Sequence, residues 1–260
     1  MIELIDQMNR TIRLEQTPKR IVSLVPSQTE LLYHLGCDEQ TVGITKFCIH
    51  PNEWFRNKTR VGGTKNVNFE KIAALKPDLI IANKEENAKE DIDRLMELYP
   101  VYMSDIFDVK DACQMILDVG QLVGKKEEAN EMISKVQSDF NNLPRLNGTV
   151  LYFIWSKPYM VVGPNTFIGH IIQRLGLTNL IADADIRYQE ITPAEITELN
   201  PDHILLSSEP FPFKEEHCAE FQEFTNAQLH LVDGELFSWY GSRMLEMKPY
   251  FDQLKNRISS

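Results

Sequence analysis

Few residues in this chain have a type and spacing suited to chemistry. Cys48 and His50 stand two apart in Phe47-Cys48-Ile49-His50-Pro51. On an extended segment both side chains point to one side, offering a thiolate and an imidazole to a metal or to a cofactor iron. Two ligands do not close a site, and the alternative is a buried thiol beside a hydrogen-bonded imidazole. His34, His170, His203, His217 and His230 are isolated along the chain and read as structural or exposed. Glu85-Glu86 and Glu215-Glu216 are adjacent carboxylates, and neighbours on a helix do not face each other as a catalytic pair must. The dinucleotide fingerprint, the phosphate loop, the zinc-protease helix and the nucleophile elbow are all missing from the sequence. Binding without catalysis is the expectation.

Aromatic side chains form the second group of candidates. Phe47 and Trp54 stand in the first half and Trp155, Tyr159 and Phe167 in the second; Phe237, Trp239 and Tyr240 run into Gly241-Ser242-Arg243. At strand ends such rings offer flat apolar faces to a large conjugated ligand, with a cation beside them. Core packing is the alternative for any single ring.

These residues need elements to position them. Residues 20–25 form a β-branched run that ends at Pro26, which predicts a buried strand. Ser27-Gln28-Thr29-Glu30 has the pattern of a capping box, with Leu31, Leu32 and Leu35 continuing at helical spacing to Gly36. A helix is predicted over 68–76 with Ile72 and Leu75 inward, then a Pro77-Asp78 turn and a strand over 79–82. The pattern recurs: a helix over 193–200 with Ile196 and Leu199 inward, Pro201-Asp202, and a strand over 204–206. Its opening recurs as well. A strand over 149–154, a Pro164-Asn165-Thr166 loop and a helix over 168–175 end in Leu175-Gly176, as the first helix ends in Leu35-Gly36. Two related lobes follow.

Between them, Ala129, Met132, Ile133, Val136 and Phe140 share one helical face over 125–142, and Pro144 stops the helix. The predicted fold class is α/β, two Rossmann-like lobes with mainly parallel central sheets joined by one long, rigid α-helix. The divisions expected are 1–122 for the N-terminal lobe, 123–145 for the connecting helix and 146–260 for the C-terminal lobe. In open sheets of this kind a ligand sits beyond the carboxyl ends of the strands, which points to Ser27 and its neighbours in one lobe and to residues 164–167 in the other.

Composition narrows the function classes. A formal net charge of −11 and no Lys/Arg run longer than Lys125-Lys126 argue against nucleic acid as a partner. No stretch approaches the roughly 18–20 apolar residues of a membrane span. The four cysteines, Cys37, Cys48, Cys113 and Cys218, form no C-x-x-C and read as buried free thiols. The first ten residues carry Glu3 and Asp6 and lack the basic start and apolar run of a secretory signal. As read, the chain is expected in the cytoplasm or already trimmed.

On the run 20–30, on Val61-Gly62-Gly63 and on the run 72–80, the chain resembles the helical-backbone substrate-binding proteins of ABC importers for iron-siderophores, haem and cobalamin. It is most like the cobalamin-binding branch, although an aromatic expected there near Thr64 is absent. The resemblance implies no enzyme activity, no required cofactor, a monomer in an extracytoplasmic (periplasmic) place, and a cobalt- or iron-containing chelate held in an interlobe cleft. It puts Phe47, His50, Thr64, Trp155, Tyr188, Trp239 and Arg243 near that cleft; Ser27 and Tyr240 join them from the residue reading. It also implies that Glu86 or Glu90 of one lobe, and Glu215 or Glu216 of the other, dock on arginines of the membrane permease. The alternatives are a cytosolic metal-chelate carrier or sensor, a metallochaperone or redox protein using Cys48 and His50, and a module that recognises a basic protein.

Overall fold

The computed structural model describes residues 1–258, and the chain divides into two compact units. The first comprises Met1–Ile106, Lys110–Lys135 and Tyr240–Arg243; the second comprises Phe107–Val109, Val136–Trp239 and the remainder from Met244.

The first unit opens with a two-stranded antiparallel hairpin, β1 (Ile2–Ile5) and β2 (Thr11–Leu14). Then come β3 (Ile21–Ser23), α1 (Pro26–His34), β4 (Thr41–Ile44), α2 (Asn52–Asn57), β5 (Thr59–Arg60), α3 (Phe69–Leu75), β6 (Leu79–Asn83), α4 (Lys89–Met96), β7 (Val101–Ser104), α5 (Val109–Leu122) and α6 (Lys126–Asn141). Strands β5-β4-β3-β6-β7 make a wholly parallel sheet in that order. Every residue of β6 is buried, as a strand covered on both faces requires. Val22, Leu24, Ile72, Ile80, Leu95 and Val101 belong to one apolar cluster, each fully buried side chain contributing about 1.5–3 kcal/mol.

Beyond α6 lie β8 (Thr149–Ser156), β9 (Tyr159–Val162), α7 (Phe167–Arg174), β10 (Thr178–Asn179), β11 (Tyr188–Glu190), α8 (Pro193–Leu199), β12 (His203–Ser207), α9 (Glu215–Phe221), β13 (Gln228–Val232), α10 (Glu235–Ser238) and α11 (Met244–Ile258). The second sheet runs β11-β9-β8-β12-β13, with β10 beside the start of β8. Its β8-β12-β13 core is parallel, whereas β9 and β11 pair antiparallel, so the sheet is mainly parallel as the pattern predicts. Leu151, Phe153, Ile196, Ile204, Leu206 and Phe221 form a separate core.

The inferred repeat is physical. Lys76 and Asn200 end α3 and α8 in the same left-handed conformation, at φ 47° and φ 46°. Asp78 accepts the backbone N–H groups of Lys19 and Arg20, both at 2.8 Å. Asp202 accepts that of Thr149 at 2.7 Å and the Thr149 hydroxyl at 2.8 Å. Each aspartate thus ties the start of one strand to the start of its neighbour.

Three local expectations are corrected. Helix α1 begins at Pro26, capped by no side chain, so Ser27 lies inside its first turn and the 27–30 capping box does not form. Proline at the first helical position loses no hydrogen bond, because that N–H has no partner in any helix. The strand before it is correspondingly short, ending at Ser23. Leu199 does not point inward: it is 36% exposed, because Ile196 alone meets the sheet from this two-turn helix. The helix expected over 125–142 is present as α6, with Ala129, Met132, Val136 and Phe140 buried and Ile133 half-buried. The division between the units falls inside it, after Lys135. Gly124, at φ +74°, separates α6 from α5.

Candidate functional site

At the carboxyl ends of β3, β6 and β7 the first unit holds a buried polar network. Asn83, the last residue of β6, donates to the Ser104 hydroxyl at 3.0 Å, and its side-chain oxygen accepts the N–H groups of Glu85 and Glu86. Asn87 accepts the Asn83 N–H at 2.9 Å and donates to the carbonyls of Leu24 and Thr64. Gln28, wholly buried on α1, donates to Ser104. The loops after three strands are thereby locked together, which sets the backbone that carries Thr64 and Glu86. Sequence reasoning missed this network, since isolated Asn, Gln and Ser carry no spacing signal.

Cys48 and His50 do not form the extended pair expected. Residues 45–48 make a turn, in which the Cys48 N–H bonds the Thr45 carbonyl at 3.2 Å. The Cys48 sulfur is buried 3.1 Å from the hydroxyls of both Thr29 and Thr45. Burial pushes this thiol up in pKa, only partly offset by the two threonines, so it stays protonated at neutral pH, whereas metal ligation needs thiolate. Among the described residues no three His, Cys, Asp or Glu side chains converge as a metal centre would need. His50 is half-buried. Cys48 is thus a buried free thiol.

Of the other candidates in this unit, Phe47 is 51% exposed with the Lys46 ammonium 4.9 Å above its ring. Ser27 and Thr64 are buried. Tyr240 and Arg243 belong here although they follow the second sheet in sequence. Arg243 is not an open cation beside rings. Its guanidinium meets the Glu30 carboxylate through two bonds, at 2.7 and 3.1 Å, with both side chains largely buried. Gly241 turns the chain at φ +100° just before Arg243, a backbone conformation that L side chains rarely adopt.

In the second unit, Trp155 near the end of β8 is 41% exposed and rests edge-on against Phe211, with ring centroids 5.8 Å apart. Tyr188, the first residue of β11, is 39% exposed. Trp239 is only 9% exposed, and its indole N–H donates to Glu209 at 2.9 Å. Burial raises the Glu209 pKa; the hydrogen bond from Ser238 lowers it, Glu235 and Asp233 raise it further, and the Trp239 bond opposes them. Glu90, Glu215 and Glu216 are exposed in the first turns of α4 and α9, and Glu86 is half-buried in the loop before α4.

Two surface cavities of the second unit lie elsewhere. One of about 610 Å³ is lined by Pro164, Asn165, Gly169, Ile172, residues 177–179, Ile181, Ala182 and Ala184; one of about 310 Å³ is lined by Phe140, Arg145, His170 and Arg174 among others. Only residues 164–165, from the predicted loop, touch either. Free space alone therefore does not identify the site, and the chemistry of the strand ends is the better guide.

Each α/β unit carries aromatic and polar side chains at the ends of its strands, the kind of surface that a receptor for a small molecule offers. The chain belongs to the periplasmic binding protein family, whose model matches residues 21–229. It is 26% identical over 258 residues to an uncharacterized ABC transporter substrate-binding lipoprotein of Bacillus subtilis (strain 168), covering 93% of this chain and 81% of that protein. It is 24% identical over 240 residues to a vitamin B12-binding protein of Pectobacterium carotovorum, covering 88% and 85%. In fold it is similar to a petrobactin-binding protein from Bacillus subtilis, with TM-score 0.80 at 16% identity, covering 100% of this chain and 99% of that one. The two-lobed fold expected from the sequence is thus shared with known binding proteins. No helix among the described residues is long and apolar enough to cross a membrane.

Proposed function

We propose that the chain is a non-enzymatic substrate-binding protein that captures a metal chelate of the corrinoid, haem or iron-siderophore class and delivers it to an ABC importer. The observation that carries this reading is the exposure of Phe47, Trp155 and Tyr188 on a binding-protein fold. Their flat ring faces match a conjugated or macrocyclic chelate. The names of the relatives support the same cargo classes. The chelate is substrate, and no resident cofactor is required. The protein works outside the cytoplasm, as the lipoprotein relative suggests, and Glu86 or Glu90 and Glu215 or Glu216 meet basic residues of the permease.

The test is a thermal-shift and absorbance titration with cyanocobalamin, cobinamide, haemin and ferric catecholate and hydroxamate chelates. A ligand present at about 100 times its Kd stabilises by about 2.7 kcal/mol. A saturable shift with one class is expected; no shift with any overturns the reading.

A further inference from the structure

We propose that Glu209 is a positioning residue for ligand binding, acting through the indole of Trp239. The proposal rests on the binding function above. One oxygen, Oε1, accepts two bonds at 2.9 Å, from the Trp239 indole N–H and from the Ser238 hydroxyl. Both donors lie at the end of α10, where backbone bonds alone set the path of the chain but not the rotation of the indole ring. An indole has one polar atom, so a single fixed acceptor decides which edge of the ring is turned inward and which part is left to a ligand.

Glu209 is itself held. Its N–H reaches the Ser207 hydroxyl at 3.3 Å, and that hydroxyl donates to the Glu209 carbonyl at 2.6 Å. Gly234 leaves the room for this side chain: a Cβ there would lie 2.5 Å from Glu209 Cγ and 2.4 Å from the Ser207 hydroxyl oxygen, so any larger residue would displace one of them. Two residues on, the Phe211 N–H is bonded to the Ile154 carbonyl at 3.3 Å, and the Phe211 ring backs Trp155. One short loop after β12 thus fixes both tryptophans of this unit, Trp239 by a hydrogen bond and Trp155 by ring contact. A flat ligand gains from rings whose orientation is set before it arrives, because no rotamer freedom is lost on binding.

The experiment measures affinity for whichever of cyanocobalamin, cobinamide, haemin or the ferric chelates the wild-type protein takes up, in Glu209→Ala, Glu209→Gln, Trp239→Phe and the Glu209→Ala/Trp239→Phe pair. Glu209→Ala is expected to weaken binding by about tenfold, the loss typical of a hydrogen bond to a charged group, and Glu209→Gln to recover most of it because an acceptor remains. In the Trp239→Phe background, which has no indole N–H to hold, Glu209→Ala is expected to cost less than about twofold, a non-additivity that general loss of stability does not produce. The indole resonance of Trp239 in a ¹⁵N-labelled sample should move in Glu209→Ala and stay near its place in Glu209→Gln. Wild-type affinity in Glu209→Ala, or additive losses in the double variant, overturn the positioning role alone. A wild-type protein that takes up none of the probes overturns the functional reading and this inference with it.

Discussion

Arg243 and Glu30 are 213 positions apart and meet in one unit with little water around either. Removing one charge of such a pair leaves the other buried without compensation, which costs more than the intact pair contributes. Arg243→Met is therefore expected to destabilise by about 3 kcal/mol in urea unfolding, and adding Glu30→Gln to recover part of that loss. A second residue-scale prediction concerns acid. His230 stands on β13 with its ring 5.5 Å from that of His203 on β12. Burial first, then His203 and Arg257, push its pKa down from 6.5 to about 4. The folded state thus holds the ring neutral, while the unfolded chain takes up a proton below 6.5. The stability involved is fully present above that pH and drains away as pH falls toward 4. For a half-buried ring screened by solvent the loss is about 1–2 kcal/mol. Unfolding curves between pH 7.5 and 4.5 check it, and His230→Phe should flatten the slope.

Elements carry the clearest mark of the repeated unit. Helices α3 and α8 each run two turns and stop at a left-handed residue, Lys76 in one and Asn200 in the other. Lysine has a β-carbon that this backbone crowds, whereas asparagine tolerates it better. Lys76→Gly should stabilise by about 0.5–1 kcal/mol, and Asn200→Gly by less, as read from thermal midpoints. The opposite end of α8 offers the converse. Thr192 and Glu195 cap each other there, so Thr192→Ala should cost about 1 kcal/mol.

The whole molecule is acidic, with a net charge of −11, and presents Glu90, Glu215 and Glu216 on exposed first turns of two helices. Charges in such places change encounter with a basic partner far more than they change the fold. Glu90→Lys and the Glu215→Lys/Glu216→Lys pair are expected to abolish chelate-stimulated ATP hydrolysis by the cognate permease in vesicles. Chelate titration of the same variants separates lost docking from lost binding. Unchanged stimulation by both would remove these carboxylates from the proposed contact.

Local pattern was enough for much of this. Buried runs such as 79–82, the Pro-Asp turns, the face of α6 and the likeness of the two halves are written within about ten residues each, because strand and helix periods and turn residues act at that range. The family resemblance rests on the same short runs. Candidate ring positions were legible too, but not whether a ring is open, like Trp155, or mostly covered, like Trp239. That depends on partners far away in sequence. Only the tertiary structure set Cys48 between Thr29 and Thr45, Arg243 on Glu30, and Glu209 under Trp239. Sheet order and helix packing choose such neighbours, and no spacing within a single segment encodes them.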